Sequence, residues 1–555
     1  MPLPLPDSAP VLLLQQSTSQ VAALRSALAR RLRGSPLRLP RFRRFYFGSI
    51  ATALGFTMHA TVAAWLMATL TPSAFMVALV QTASTGPALL VGMVAGTLAD
   101  IVDRRLVVMA TQALLLASTT VLGIATLAGM IEPMSLLILT FLTGIGFIFY
   151  MPAQQAMIND LVPRPELARA VALGAVAFNV ARAVGPALAG ALAAWIGSGS
   201  AMLASALFFV VMLVALRGWR PAARSIPGAP ETLFSGLSSG FRYLRHSPPL
   251  QSAVIRNLTF SSCASSLWAL LPVIARDQLQ LSAGGFGMLL GFFGAGAVVG
   301  ALWIPRHLRR VPLNTVIIGG ILLWAAAVLV IAFAPWTALA VIGTAAAGAA
   351  WVSVHASLSA GTQSAAPAWV RARAVSTNLV AVQASLALGS ILWGAVASLT
   401  DTRTALVVSA LIMLLLLLLT RRVRVAMGNE ADVTMGVQLP ELSLAIQPGA
   451  DDGPVLIQIE YRVERAHREA FLHAVSAVEG VRRRNGASSW RIFRDLEDEG
   501  RYVERFVIKS WAEYTRQRAR MTVAERELQQ RVVELHKEGV PIRISRLIGV
   551  EVFDD

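Results

Sequence analysis

The sequence predicts an all-α polytopic membrane protein, twelve transmembrane helices in two parallel six-helix repeats, followed by a small α+β C-terminal domain. Three observations carry this. The 555-residue chain is 55% hydrophobic and only 14% charged, with a mean hydropathy of +0.62, a balance that water-soluble globules of this length do not show. Apolar segments long enough to cross a bilayer as helices recur twelve times. The two halves of this apolar body are related to one another by a single constant offset in sequence.

Charge separates the body from a tail. The formal charge of +17 does not signal nucleic acid, because residues 1–429 hold nine acids against 29 basic residues, whereas residues 430–555 hold 22 acids against 19. A boundary therefore falls near residue 430. The single cysteine, Cys263, excludes an intramolecular disulfide. The chain opens MPLPLPDSAP, and its apolar run Val11–Leu14 is far shorter than the core of a signal peptide. Residues 1–40 read as a cytoplasmic arm with a basic amphipathic turn from Val21 to Arg33; a disordered leader or a misassigned start is the alternative.

The expected spans are 46–70, 74–98, 106–129, 134–158, 168–195 and 200–217 in an N-terminal bundle (41–217). After a connector (218–249), spans at 250–275, 283–305, 312–333, 337–361, 371–398 and 403–420 form a C-terminal bundle (250–427). Arginines mark their direction. Arg41, Arg43 and Arg44 precede the first span; Arg104 and Arg105 follow the second, Arg164 and Arg169 the fourth, Arg217, Arg220 and Arg224 the sixth. Arg306, Arg309 and Arg310 follow the eighth span, Arg371 and Arg373 the tenth, Arg421, Arg422 and Arg424 the twelfth. The opposite connectors carry only Glu132, Arg276, Asp277, Asp401 and Arg403. The positive-inside rule then puts both termini and the 218–249 connector in the cytoplasm of a multi-pass inner-membrane protein.

A shift of 204 residues superposes Gly96 on Gly300, Leu98 on Leu302, Arg105 on Arg309 and Pro163 on Pro367. It also carries Arg169–Val171 onto Arg373–Val375, Gly185 onto Gly389 and Gly190 onto Gly394, without a gap. Two parallel six-helix repeats joined by a long connector form an architecture in which a substrate site lies between the halves and opens alternately to each side.

Over residues 40–425 the body resembles the major facilitator superfamily. The stretch GTLADIVDRR (96–105) is similar to that superfamily's signature between the second and third spans. Val162–Arg164, Ala181–Pro186 and Gly190 look like the branch of efflux carriers that includes the enterobactin exporter. The resemblance implies a conformational latch formed by Gly96, Asp100, Arg104 and Arg105, with Asp100 tying the N-terminal bundle to the start of the eleventh span. A carboxylate at a helix C-terminus is disfavoured by the macrodipole and needs such a partner. The repeat position of Asp100 is Ile304, so one half alone keeps the acid. In a second reading Arg104 and Arg105 only set topology.

Ionisable and amide groups at membrane depth are costly, and each is a candidate for the substrate pathway. His59 falls near the middle of the first span; Arg182 lies in the fifth, with Asn179 three residues earlier on the same face. Position 179 maps onto Gln383, and His355 and Asn378 sit in the tenth and eleventh spans. An arginine and a histidine bordering one cavity suit phenolate or carboxylate groups, while Trp65, Trp268, Phe149 and Tyr150 offer flat walls to an aromatic ligand. The alternatives are interhelical hydrogen bonding for His59 and lipid-facing positions for the aromatics. Gly185, Pro186 and Gly190 are expected to break or bend the fifth span. They resemble, incompletely, the fifth-span motif of proton-coupled antiporters, without its full run of glycines.

No acid of the body falls inside an expected span, and no GxxxxGK[ST] phosphate loop is present. Proton coupling, if carried by a side chain, then falls to histidine, with His59 the first choice. No cofactor, metal site or catalytic residue is expected.

After a linker (428–453), residues 454–555 read as β-α-β-β-α-β: strand Val455–Val463, helix Arg465–Val478, strands Ser489–Asp495 and Tyr502–Trp511, helix Ala512–Glu538, and a strand near Ile542–Leu547. That order looks like the ferredoxin-like fold of small antibiotic-biosynthesis monooxygenase domains, which implies homodimerisation through the sheet. His467, His473 and His536 lack metal-ligand spacing. Arg482–Arg484 reads as a solvated turn, with lipid headgroups as the alternative contact.

The expectation is a secondary active transporter exporting a small amphipathic or aromatic compound of the siderophore or drug class, in exchange for protons, with the lipid bilayer as its medium and no nucleic-acid partner. An importer or facilitator of the same fold is one alternative. A carrier fused to a monooxygenase-like enzymatic tail is another.

Overall fold

A computed structural model describes residues 35–218, 242–307, 311–434, 436, 444 and 446–550. The expected basic turn at 21–33, most of the inter-bundle connector and Arg309–Arg310 lie outside the described residues, as do the side chains of Gly96 and Asp100. Twelve helices among the described residues are long and apolar enough to cross a membrane.

Local chemistry sets where they start. Pro40 opens the first span, Pro40–Leu70, six residues earlier than expected. The Asp103 carboxylate accepts a hydrogen bond from the Arg105 amide (2.9 Å) and begins the third span, Arg104–Leu127. Glu132 and Ser135 form a capping box ahead of the fourth, Pro133–Leu161. Asp401 accepts from the Thr404 amide (2.9 Å) to begin the twelfth, Thr402–Leu419. Fifth and sixth spans, Leu167–Ile196 and Ser198–Leu216, are separated by Gly197 alone. At φ +83° that residue occupies a region glycine enters without a Cβ clash.

One expectation about proline is corrected. The fifth span is not broken: Pro186 lies inside one continuous helix. Neighbours pack tightly on both sides of it. A Cβ on Gly190 would sit 2.6 Å from the Gly287 Cα, and Gly185 lies against Thr57, whose hydroxyl reaches the Ala181 carbonyl at 3.2 Å. The break falls in the second span instead, between Ala74–Thr85 and Pro87–Ile101, because Pro87 has no amide to donate.

Among the described residues, contacts between the bundles gather towards the end away from the termini and continue along the fifth and eighth spans to Ala183 and Gly294. One apolar cluster joins Trp65, Met67 and Val77 of the first two spans to Leu270, Ile274 and Phe286 of the seventh and eighth towards the end away from the termini, and runs on through the C-terminal bundle to Leu313 and Val425. At the end carrying the termini the core divides. Phe42, Phe45, Tyr150 and Met157 form one cluster in the N-terminal bundle, and Tyr243, Leu250, Ala366 and Val370 another in the C-terminal bundle. Polar seams follow the same division. The Phe75 amide donates to Ser398 Oγ (3.0 Å), Thr82 Oγ1 to the Ala387 carbonyl (3.0 Å), and Arg276 Nη1 to the Thr71 carbonyl (3.3 Å), all at or towards the joined end.

In the tail, β1 (Val455–Arg462), β2 (Ala487–Arg494), β3 (Arg501–Ile508) and β4 (Arg543–Ile548) form an antiparallel sheet of order β2-β3-β1-β4. Strict alternation along β1 sends Val455, Ile457, Ile459 and Tyr461 into the core against Phe471 and Val475 of the helix Arg468–Arg484. The expected helix 512–538 is two helices, Trp511–Ala519 and Val523–Glu534. Thr522 and Glu525 form a capping box that starts the second anew, a T-x-x-E signal passed over in the sequence.

The basic run Arg482–Arg484 is not a solvated turn. It ends a helix, where Arg482 pairs with Glu504 (2.9 Å), Arg483 with Glu479 (2.7 Å) and Arg484 with Glu525 (2.8 Å). Glu504, fully buried, also accepts from Tyr461 Oη and Trp490 Nε1, both at 3.0 Å. Burial pushes its carboxyl up, but the Arg482 guanidinium and these hydrogen bonds outweigh burial and hold it below the usual carboxylate range.

The tail rests on the C-terminal bundle. Arg242 pairs with Glu513 (2.7 Å), and the Arg520 guanidinium lies 4.3 Å from the ring centre of Trp369 at the start of the eleventh span, Ala368–Leu399.

Candidate functional site: a cavity between the bundles

A cavity of about 430 Å³ lies between the halves, below the joined end. Its two walls differ. Thr57 and Thr61 of the first span, Gln81 of the second, and Asn179 and Arg182 of the fifth give the N-terminal wall its polar groups. Trp268, Phe286, Leu290, Phe293 and Val298 give the C-terminal wall an apolar face, whose one polar side-chain atom, Trp268 Nε1, is buried without a partner. Helical spacing explains the polar wall: Thr57 and Thr61, and Asn179 and Arg182, are four and three residues apart and therefore share a face.

Arg182 is the one charged side chain lining this cavity. Among the described residues it has no carboxylate or carbonyl partner; its contact is the face of Phe178, 5.9 Å from guanidinium carbon to ring centre. Phe178 in turn stacks with Phe147 (6.4 Å), and Phe147 with Phe56 (3.7 Å, planes 8° apart), so a column of rings holds the guanidinium in place. A charge in an apolar, partly enclosed site that no protein group neutralises favours an anionic ligand.

The structure brings Asn179 and Arg182 together on the cavity lining, which His59, His355, Asn378 and Gln383 do not join, although His355 lies within range of the Arg182 charge. His59 is 1% exposed on the opposite side of the first span, its Nδ1 3.1 Å from Thr119 Oγ1 and its Nε2 without a partner. His355 lies in an aromatic nest, 4.1 Å from Trp351 and 5.4 Å from Phe260 between ring centres. Asn378 accepts a hydrogen bond from Asn257 Nδ2 (2.6 Å) within the C-terminal bundle, and Gln383 is half-buried outside the cavity lining. Of the aromatics, Trp268 lines the cavity, Trp65 stacks on Phe286 at the joined end, and Tyr150 is buried in the N-terminal bundle.

The described arms of the 96–105 loop hold their own bundle. Arg104 pairs with Asp160 (2.9 Å) at the end of the fourth span, and Arg105 Nε donates to the Leu216 carbonyl (3.3 Å) at the end of the sixth.

Sequence reasoning missed Gln81, Phe56, Phe178, Phe286 and Phe293 of the cavity and its column. It also missed Arg256, 1% exposed in the seventh span, which donates to Thr420 Oγ1 (2.7 Å) and to the carbonyls of Thr420 (3.0 Å) and Val423 (3.1 Å). The signal was present, since Arg256 lies six residues inside the expected seventh span.

Comparison with known proteins agrees with this architecture. The family described as transmembrane secretion effectors matches residues 33–552. The multidrug efflux pump Tap of Mycolicibacterium fortuitum is 24% identical over 67% of this chain and 92% of its own length. The staphyloferrin A transporter of Staphylococcus aureus is also 24% identical, over 44% of this chain and 62% of its own. Among solved structures, the nucleoside transporter NupG superposes with a TM-score of 0.58 at 14% identity, covering 69% of this chain and 99% of that one. A bacterial homologue of the lysosomal transporter Spinster, in an inward-facing unoccupied conformation, gives 0.54 at 15% identity, covering 69% and 98%.

Proposed function

Since the chain belongs to the major facilitator superfamily of transporters, within the family of transmembrane secretion effectors, we propose that it exports a small amphipathic anion by alternating access through the inter-bundle cavity. The carrying observation is the unneutralised Arg182 on the polar wall of a cavity whose opposite wall is apolar. The substrate's acidic group sits on the polar N-terminal wall, and its aromatic or aliphatic body lies against Trp268, Phe286 and Phe293. The drug and siderophore classes named for the relatives both contain such compounds.

The arginine-rich connectors support a cytoplasmic position for the end at which the core divides, and on that reading substrate loads from the cytoplasm. Export in exchange for protons requires a titratable group within the membrane. His59 fills that role here, acting on the first span, whose other face carries Thr57 and Thr61 into the cavity.

Accumulation of 2-naphthalenesulfonate, a permanently charged amphipathic probe, in energised inside-out vesicles tests the reading. Uptake above empty vesicles, lost in Arg182→Gln and partly kept in Arg182→Lys, supports it. Uptake equal to that of empty vesicles for this sulfonate and for a panel of carboxylates overturns it. If His59→Gln leaves gradient-driven uptake unchanged, the coupling assignment fails while the substrate assignment stands.

A further inference from the structure

The tail holds a second cavity, of about 200 Å³, between the inner face of its sheet and its helices. Ile457, Ile459 and Phe506 form its floor. Its rim carries Arg482, Arg518 and Arg546 against a single acid, Glu525. Within the protein Arg482 is matched by Glu504, Glu525 by Arg484, and Arg518 has a partner of its own, which leaves Arg546 as the cation this site offers. Arg546 Nε donates to a neutral phenol, Tyr514 Oη (2.8 Å), so its charge meets no carboxylate there. An apolar floor under a cationic rim selects an anion with a flat or compact apolar body. The volume lies below the roughly 300–1,000 Å³ of drug-sized sites, which limits the ligand to a small aromatic or short-chain acid.

The walls of this cavity are also the parts of the tail that grip the membrane domain. The helix Trp511–Ala519 presents Tyr514, Gln517 and Arg518 to the cavity. From the same helix and the residue after it, Glu513 reaches Arg242 and Arg520 covers Trp369. A second path leads from Glu525 on the rim through Arg484 to the ring of Tyr243, 5.4 Å away. Tyr243 packs edge-on to Trp369 (5.3 Å), so both paths end at the start of the eleventh span, on the parted side of the transporter. These contacts tie the tail to the connector and to the start of the eleventh span in the C-terminal half.

We propose that the tail is a ligand sensor, in which a small carboxylate bound in the cavity of Arg546, Gln517 and Phe506 shifts the helix 511–519 and thereby sets how readily the eleventh span closes the parted end. The effect on flux rests on the carrier reading above; the binding site does not.

Full-length protein in nanodiscs, titrated calorimetrically with 2-naphthoate and with its uncharged amide, separates these. Binding of the naphthoate is expected to weaken at least tenfold for the amide and for Arg546→Gln, and to persist in Arg182→Gln. Ile544→Trp, at a 45%-exposed position on the cavity lining, is expected to block entry without disturbing the core. No naphthoate binding, equal binding of the amide, or binding that depends on Arg182 but on neither tail variant overturns the site. In vesicles, 2-naphthoate also competes at the inter-bundle cavity, so it is expected to change naphthalenesulfonate flux more in the wild type than in Glu513→Gln, whose naphthoate binding stays normal. A flux change of equal size in the wild type, Glu513→Gln and Trp369→Ala overturns the coupling. Naphthoate binding that depends on Arg546, in a chain without any flux, counts against the carrier reading and for the sensor site.

Discussion

Trp65 of the first span stacks on Phe286 of the eighth, with ring centres 5.8 Å apart and planes 22° from parallel. This pair closes the cavity towards the end away from the termini and belongs to the apolar cluster shared by both bundles. Trp65→Ala should remove a large buried contact worth about 3–5 kcal/mol. Its first consequence should be opening of the joined end, before any global unfolding. The measurement is leak of a small polar solute through proteoliposomes holding the variant. An increase over wild type is expected, and a tighter vesicle with unchanged thermal stability contradicts the assignment.

Arg256 secures the last span. Its guanidinium takes up carbonyls at the C-terminus of the twelfth helix, where the backbone has free acceptors and the macrodipole favours a cation. Arg256→Met should cost about 1.5–3 kcal/mol, the range for hydrogen bonds to a charged group. Thermal unfolding in detergent measures it, and Arg256→Lys should recover part of the loss.

The tail should be acid-sensitive. Because the folded-state pKa of Glu504 is depressed, its contribution to stability is fully present above the ordinary carboxyl value of about 4.3 and is lost as pH falls through the depressed value. Arg482→Met leaves a buried carboxylate unpaired and should cost about 3–5 kcal/mol, whereas removing both charges in Arg482→Met/Glu504→Leu should cost less than the single change. Hydrogen exchange at β3 in the intact protein reads both effects. A double variant weaker than the single one contradicts the pairing as the source of the stability.

Much of the fold was legible because hydropathy repeats. The existence, number and order of the spans follow from apolar runs alone, and Arg182 with Asn179 could be picked out because an arginine three residues from an amide, deep in a span, has few other reasons to be there. What a helix faces was not legible. The position of His59 along the first span is legible, but its rotation about the helix axis depends on Thr119 of the third span, and that contact turns it away from the cavity. The same limit hid Phe286 and Phe293, which are unremarkable apolar residues until the fifth and eighth spans close on each other through Gly190 and Gly287. At Pro186 local chemistry allows a break or a bend, and packing on both sides keeps the helix continuous. In the tail, alternation along β1 was clear, but the arginines after Val481 could not be assigned to buried partners before the sheet brought Glu504 beneath them.

Alternating access through the inter-bundle cavity is tested most directly at Asn179. A single cysteine there, in a Cys263→Ser background, should react with a membrane-impermeant maleimide from the face that carries the termini, and more slowly from the opposite face. Adding Phe75→Cys and Ser398→Cys, which sit on a 3.0 Å amide-to-hydroxyl contact across the joined end, and oxidising them should abolish reaction from the opposite face alone. Reaction from neither face, or from the opposite face undiminished by the cross-link, would contradict the account.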